Sequence, residues 1–535
     1  MRLDRLSTKA FTARTLVESR MFAPTRPDKL VRSLLAINKW GPSPAAGCTS
    51  SAIRHPDAIS IVDELGSLTF DEVNRGTNAL AHALSDAGIN EGDGVAIMCR
   101  DHRGFVEATV ACSKLGAHAL FLNTAFAGPQ LAEVCAHEQP TAIVYDEEFS
   151  ERLGEAARGR RRLLAWSDGN ADGIPTLEEL IAAGDRSDVV PPAAKGRLVI
   201  LTSGTTGTPK GANRRQPESL DPIAGLLSKI PLHARERTLI SAPLFHSWGL
   251  AHLILGIGLS STLVLRRRFD PEDTLRAIDE QGCTALVVVP VMLQRILELG
   301  PKVIGRYDTG ALRVIATSGS ALPGELATNV MDTFGDVLYN LYGSTEVAWA
   351  TIATPEDLRA APGTAGRPPR GTIVRLYDAE DREVAPGETG RIFVGSELVF
   401  EGYTGGGGKA VVDGLMSSGD VGHFDAGGRL FVDGRDDEMI VSGGENVFPR
   451  EVEDLVACID GVDEVAVIGV PDEEFGRRLR AFVVLADGAQ VSAHDVNAHV
   501  KANLARFKVP RDVVFLDELP RNATGKVLKR ELAEL

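Results

Sequence analysis

The stretch Leu198-Val199-Ile200-Leu201-Thr202-Ser203-Gly204-Thr205-Thr206-Gly207-Thr208-Pro209-Lys210-Gly211 decides how the rest of the chain is read. Its four leading apolar residues predict a buried strand, after which the composition switches to hydroxyls, glycines and one lysine. Glycine lets backbone amides approach a phosphate closely, hydroxyls add donors, and the Lys210 ammonium adds a point charge, so the loop suits a triphosphate. It is not a Walker loop, because GxxxxGK[ST] is absent and Pro209 directly precedes the lysine. The plainer alternative is a polar turn between two strands; the crowding of serine and threonine favours phosphate.

Composition bounds the rest. At 535 residues the chain exceeds the size at which a single core keeps growing, so at least two domains are expected. Hydrophobic residues at 44% and charged residues at 24% describe an ordinary globular protein. The formal net charge of −16 argues against nucleic acid as the main partner, since that would need a basic face. An anionic nucleotide then needs local positive charge, which Lys210 supplies. Cys48, Cys99, Cys112, Cys135, Cys283 and Cys458 show no CxxC spacing, which fits reduced thiols and a cytoplasmic location. Neither a signal peptide nor a membrane span is expected; the richest apolar stretch, Leu250 to Leu265, is broken by His252, serines and glycines.

Residues 1–40 form a basic leader on this acidic chain: Arg2, Arg5, Lys9, Arg14, Arg20, Arg26, Lys29, Arg32 and Lys39 outnumber Asp4, Glu18 and Asp28. Lys29 to Trp40 reads as an amphipathic helix. Packing on the body with solvated charges is the favoured reading, and peripheral contact with an anionic membrane surface is the other. From about residue 60, helical and strand patterns alternate. Thr69 to Gly88 and Gly104 to Leu115 have helical spacing, whereas Val95 to Cys99, Ala119 to Leu122 and Ala142 to Tyr145 read as strands. This predicts an α/β fold with parallel-rich sheets covered by helices. Residues 151 to 196, with Arg160, Arg161 and Arg162, read as surface structure.

Several polar clusters follow apolar runs downstream. Ser241-Ala242-Pro243-Leu244-Phe245-His246-Ser247-Trp248-Gly249-Leu250 places an imidazole among aromatic groups, where a satisfied core histidine is the plainer reading. Val314 to Thr317 leads into Ser318-Gly319-Ser320-Ala321, a turn open to a flat base or simply to a helix. Leu338-Tyr339-Asn340-Leu341-Tyr342-Gly343-Ser344-Thr345-Glu346 joins an aromatic face, an amide, hydroxyls and a carboxylate, suited respectively to adenine stacking, base reading, phosphate and Mg²⁺. Asp420, after Ser418-Gly419, is placed to accept ribose hydroxyls or to cap a turn. Gly434 to Glu453 runs from charged linker to strand, double glycine and helix, the order expected at a flexible domain junction. Strands at Val465 to Val470 and Ala481 to Leu485 predict a small α/β unit, closed by Pro520-Arg521-Asn522-Ala523-Thr524-Gly525-Lys526.

Taken together, TSGTTGTPKG, PLFHSWGL, YGSTE, GETGRI, SGD, GRDDEMIVSGGENVFPREVE and PRNATGK, in this order over residues 198 to 530, resemble the adenylate-forming superfamily of acyl-CoA synthetases, luciferase-like enzymes and peptide-synthetase adenylation domains. GGENVFPREVE looks most like a fatty-acid CoA ligase. The resemblance implies an N-terminal ATP- and acyl-binding domain over 1–433, a hinge linker over 434–440 and a mobile C-terminal lid over 441–535. It implies ATP-dependent conversion of a carboxylic acid, a fatty acid by this reading, to acyl-AMP and then to a thioester of coenzyme A. Handing the acyl group to a carrier protein, aryl-acid CoA ligation and non-catalytic nucleotide sensing are the other readings.

By resemblance, Thr202, Ser203, Gly204, Thr205, Thr206, Gly207, Thr208 and Lys210 hold the β and γ phosphates. Thr345 holds the α-phosphate and Glu346 the Mg²⁺. Gly319, Ser320, Ala321, Asn340, Tyr342, Gly343 and Ser344 form the adenine side, with Asp420 and Arg435 on the ribose. Lys526 meets the carboxylate and α-phosphate, His246 lines the acyl region, Asp437 is the hinge, and Ser442, Gly443 and Gly444 border the coenzyme A channel. Phe245, Trp248, Leu250 and the run Leu253 to Leu259 suggest an acyl tunnel. Three stretches depart from the family pattern: Met416-Ser417-Ser418 before the ribose carboxylate, the glycines after Gly402-Tyr403, and Arg477 at a position that is commonly acidic.

Overall fold

The computed structural model describes residues 2–21, 26–169, 173–202, 210–213, 219–404, 406–436, 440–442, 445–472, 476–504, 508–522 and 525–535. Two parallel-rich sheets carry most of it. The seven-stranded one runs Gly402–Tyr403, Lys210–Asn213, Leu198–Thr202, His118–Phe121, Gly94–Met98, Ala142–Asp146, Arg161–Trp166, and its last five strands are parallel. Both faces are buried. Along Gly94–Met98, Val95 and Ile97 join the largest core cluster while Ala96 and Met98 join a second one on the other face. A strand covered on both sides needs apolar side chains at consecutive positions, which is why these strands read as unbroken apolar runs.

The eight-stranded sheet runs Ala348–Ala353, Leu338–Ser344, Val314–Thr317, Ala285–Val288, Arg237–Ile240, Thr262–Leu265, Ile59–Asp63, Gly66–Thr69. Its six inner strands are parallel and its two edge strands pair antiparallel. An antiparallel sheet follows, built on Ile373–Tyr377, Gly390–Gly395 and Leu415–Phe424, with Leu430–Arg435 paired to Leu415–Phe424. The C-terminal unit has its own core, formed by the strands Val462–Asp472, Gly476–Leu485 and Asp512–Leu516 against the helices Pro449–Ala457 and Ala493–Asn503.

The helix expected over Thr69 to Gly88 is Phe70–Asp86, started by a capping box in which the Thr69 hydroxyl accepts from the Glu72 amide and the Glu72 carboxylate accepts from the Thr69 amide. One expectation fails. The segment with Arg160 to Arg162 is not merely surface structure: Arg161–Trp166 is the outermost strand of the seven-stranded sheet, with Leu163 and Leu164 buried and Arg161 and Arg162 exposed. Three arginines in a row concealed the short apolar pair that follows.

The chain opens with helices α1 (Arg2–Glu18), α2 (Pro27–Trp40) and α3 (Pro44–Arg54). Helix α2 does pack on the body, through Ser33, Ala36 and Trp40. All six cysteines are free thiols, with Cys458 alone exposed. Among the described residues no helix is long and apolar enough to cross a membrane.

Lys114 is a buried cation held wholly by neutral groups. Its ammonium donates to the Asn74 carbonyl and to side-chain oxygens of Asn74, Thr77 and Asn78 at 2.6–2.9 Å. Burial pulls its pKa down to about 8. Lys114→Met strands these buried acceptors and is expected to cost about 2–4 kcal/mol, read as a lowered urea midpoint.

Candidate active site

The site forms where the eight-stranded sheet meets the antiparallel one. Thr317, the last residue of its strand, faces Asn340 on the adjacent parallel strand Leu338–Ser344, where a doubly covered sheet opens onto ligand. Both are buried, and the Thr317 hydroxyl and the Asn340 Oδ1 have no hydrogen-bond partner among the described residues. Two orphaned polar atoms side by side are costly unless a ligand pairs them. Gly319 follows with φ +96°, a left-handed turn that carries Ser318 to Ala321 along the edge of this opening.

Further along the same strand, the Tyr342 hydroxyl donates to Asp420 Oδ2 at 2.6 Å and lies 3.1 Å from Ser418 Oγ. Asp420 and Arg435 are cross-strand partners and form an ion pair at 3.3 Å. Burial raises the Asp420 pKa, opposed by Arg435, Tyr342 and Lys526. Lys526 lies on the C-terminal unit yet within electrostatic reach of this carboxylate. It is set by a tight turn: its amide donates to Asn522 Oδ1 at 2.9 Å, and Asn522 donates its amide to the Lys526 carbonyl. Gly525 makes the docking possible, because a Cβ there would come within 2.4 Å of Val291 Cγ1 on the N-terminal side.

Beyond Tyr342 the strand turns. Ser344 Oγ accepts from the Glu346 and Val347 amides. The Thr345 hydroxyl lies 3.4 Å from that of Ser247, which joins the YGSTE turn to the PLFHSW segment. The Glu346 carboxylate accepts from the Tyr403 hydroxyl at 2.8 Å. Tyr403 belongs to the short strand paired with Lys210–Asn213, so the base of the glycine- and threonine-rich loop adjoins Glu346. The loop itself joins two antiparallel strands, with Thr202 opposite Lys210. A turn between strands and a phosphate loop were thus never exclusive readings.

Ser203, Gly204, Thr205, Thr206, Gly207 and Thr208 lie outside the described residues, as do Asp437, Gly443 and Gly444. Of Thr202, Lys210 and Ser442 the backbone alone is described. The described candidates otherwise converge: Asn340, Tyr342, Gly343, Ser344, Thr345, Glu346, Asp420, Arg435 and Lys526 form one chain of contacts, with Gly319, Ser320 and Ala321 beside it and His246 attached through Ser247.

Sequence reasoning passed over several members. Tyr403 holds Glu346, Ser418 supports Tyr342, and Asp101 accepts the Leu244 amide at 2.9 Å, tethering the PLFHSW segment. Asp101 is fully buried, and burial lifts its pKa far above the usual carboxylate range. None had a local signal; only the unusual aspartate after an apolar strand hinted at Asp101. The Cys99, His102 and Asp146 cluster is structural, since His102 engages Asp146 through Nε2 at 2.8 Å and accepts the Gly104 amide at Nδ1.

His246 is buried against Phe245, its Nε2 unpartnered, and burial lowers its pKa to about 4. His252 is buried edge-on to Trp248 with the same result, about 4. Both stay neutral when folded but protonate when unfolded below about pH 6.5, so the unfolded state binds more protons between about pH 6.5 and 4. Stability is therefore expected to fall with pH there by about 1.4 kcal/mol per pH unit per histidine. Chemical denaturation across that range checks this, and His252→Gln should flatten the slope by one proton.

Residues 48–404 match the family model described as AMP-binding enzyme, and residues 451–526 match that of the AMP-binding enzyme C-terminal domain. A feruloyl-CoA synthase from Amycolatopsis sp is 34% identical over 483 residues, 89% of this chain and 96% of that protein. An indoleacetate–CoA ligase from Aromatoleum aromaticum is 33% identical over 91% of this chain and 95% of its own length. Among solved structures, the o-succinylbenzoate CoA synthetase from Bacillus subtilis with its acyl-adenylate intermediate superposes with a TM-score of 0.79 at 27% identity, covering 91% of this chain and 97% of that one.

Proposed function

The chain belongs to the AMP-binding enzyme family of adenylate-forming ligases, and on that premise we propose that it joins a carboxylic acid to coenzyme A by way of an acyl adenylate. The observation that carries this reading is the convergence of Tyr342, Asp420, Arg435 and Lys526, from three separate parts of the chain, next to the orphaned Asn340 and Thr317. Asn340 Oδ1 is an acceptor without a donor, which fits the amino group of adenine, and the Asp420 carboxylate fits a ribose diol. A carboxylate oxygen of the acid attacks the α-phosphorus of ATP and pyrophosphate leaves. The thiol of coenzyme A then attacks the acyl carbon, and AMP departs with the oxygen that had bridged.

Both steps gather negative charge on oxygen, so positioned cations and donors do most of the work. In this reading the Lys526 ammonium sits at the carboxylate and α-phosphate, the Thr345 hydroxyl binds an α-phosphate oxygen, and the 202–210 loop clamps the leaving pyrophosphate. Neutral His246 offers a hydrogen-bonding nitrogen without adding charge. The Glu346 carboxylate, next to the Thr345 and Tyr403 hydroxyls, is a hard-oxygen set that fits Mg²⁺, which when bound spreads charge over phosphate oxygens.

The acid is aromatic in this reading. Relatives named for feruloyl and indoleacetate substrates support it, as does the aromatic composition of the His246 region. A fatty acid, suggested by the apolar run after Trp248, finds less support, since Leu250, Leu253, Ile257 and Leu259 pack into the large core. Pyrophosphate release is to be measured over aryl and straight-chain acids, with and without coenzyme A. Release with aryl acids, with thioester formed only when coenzyme A is present, is expected. Preference for straight-chain acids overturns the substrate assignment, thioester formed only on a carrier protein overturns the acceptor, and release with no acid overturns the function.

A further inference from the structure

Helix α2 turns its apolar side outward. It buries Ser33, Ala36 and Trp40, whereas Leu30, Val31, Leu34, Leu35 and Ile37 are 39%, 55%, 51%, 62% and 42% exposed. At about 100° per residue, Val31, Leu34 and Leu35 fall on the side of the helix opposite the three it buries, while Leu30 lies at its margin and Ile37 beside the buried side. A surface helix ordinarily does the reverse, with its apolar stripe on the core and its charges in water. Exposed Arg32 and Lys39 flank the stripe on one side.

The base of the helix is strongly cationic. Lys29 donates to the Arg54 carbonyl at 3.0 Å, and the Arg54 guanidinium donates to the Met21 and Gly258 carbonyls, so its charge meets only neutral oxygens in these bonds. Arg235 lies close to Arg54, and its neighbour Ala234 donates to the Ser19 carbonyl at the end of α1. Three of these cations, Arg54, Arg235 and Lys29, act on His55, whose pKa burial and their charges push down to about 4. Positive charge thus crowds one end of an exposed apolar helix in a chain whose net charge is −16.

We propose that α2 docks this chain on an anionic phospholipid surface, with Val31, Leu34 and Leu35 at the boundary of headgroups and acyl chains and the cations against lipid phosphates. An anionic bilayer supplies an apolar layer and, just above it, a sheet of negative charge, and α2 presents the complement of both. A second copy of the chain would bring an equally basic flank against this one, which like charge opposes. Among the described residues, Ala36 and Trp40 pack against Ala45, Ala46, Ile53 and Val189, none of which is assigned to the nucleotide site, so docking and catalysis are separable.

Flotation of the full chain with vesicles of phosphatidylcholine alone, or with about 30% phosphatidylglycerol, tests this. Partition onto the anionic vesicles is expected to be at least about tenfold stronger, and to weaken in 1 M NaCl, where the screening length shrinks from about 10 Å at 0.1 M to about 3 Å. Leu34→Ser with Leu35→Ser, and separately Arg32→Glu with Lys39→Glu, should each lower partition at least about tenfold while thioester formation and thermal midpoint hold. No partition by the wild-type chain, or partition by either variant equal to that of the wild type, overturns the proposal. A concentration-dependent dimer abolished by the leucine variant overturns it too, assigning the face to a second copy.

Discussion

Lys526→Ala is expected to lose adenylate formation by about 10²–10³-fold while still converting supplied acyl-AMP and coenzyme A to thioester. Lys526 reaches Asp420 across the boundary between the C-terminal unit and the rest of the chain, held by the Asn522 turn and by Gly525 against Val291. In the proposed mechanism its ammonium stands where charge grows as the carboxylate meets the α-phosphorus. A preorganised cation at such a point acts on the transition state of that step alone. Once the adenylate exists, the chemistry moves to the acyl carbon and the lysine has no part in it. Measuring acid-dependent pyrophosphate exchange beside thioester formation from synthetic acyl-AMP separates the two. If both rates fell together, the lysine would be supporting the fold of the lid rather than the first step.

Asp437→Pro is expected to have the opposite signature, with adenylation kept and thioester formation lowered roughly tenfold or more. The strand Leu430–Arg435 belongs to the antiparallel sheet, and Ile440–Ser442 packs into the C-terminal core through Ile440, so residues 436 to 439 alone join the two bodies. A lid that presents Lys526 for one step must turn away for the thiol to reach the acyl carbon. In this proposal the dihedrals of that linker take up the rotation, and a proline ring fixes one of them. The lid as seen here, with Lys526 near Asp420, is the one such a variant should retain. Equal retention of both half-reactions in single-turnover assays would remove position 437 from the hinge.

The sequence disclosed the parts of this fold that follow from local periodicity. Val95, Ile97, Ala142 and Val314 lie in strands buried on both faces, and such strands are legible because every position must be apolar. Arg161–Trp166 escaped because, as an edge strand, it opens on exposed arginines and buries only Leu163 and Leu164. The candidate site residues stood out as motifs, since Asn340 to Glu346 is one continuous strand and turn. What joins them was not. Asp101 to Leu244, Tyr403 to Glu346 and Tyr342 to Asp420 connect residues 143, 57 and 78 positions apart, distances at which no local pattern carries information. The orientation of α2 was hidden for a related reason: its amphipathic pattern is plain, but periodicity cannot say which side meets the body.

Supplying the acid with ¹⁸O in both carboxylate oxygens, together with ATP and coenzyme A, tests the proposed chemistry most directly. Mass spectrometry should find one ¹⁸O in AMP and one in the thioester, because the attacking oxygen stays with the α-phosphorus when the thiol displaces AMP. Unlabelled AMP, or ¹⁸O in inorganic phosphate with ADP as the nucleotide product, would contradict an acyl adenylate and with it the role assigned to this site.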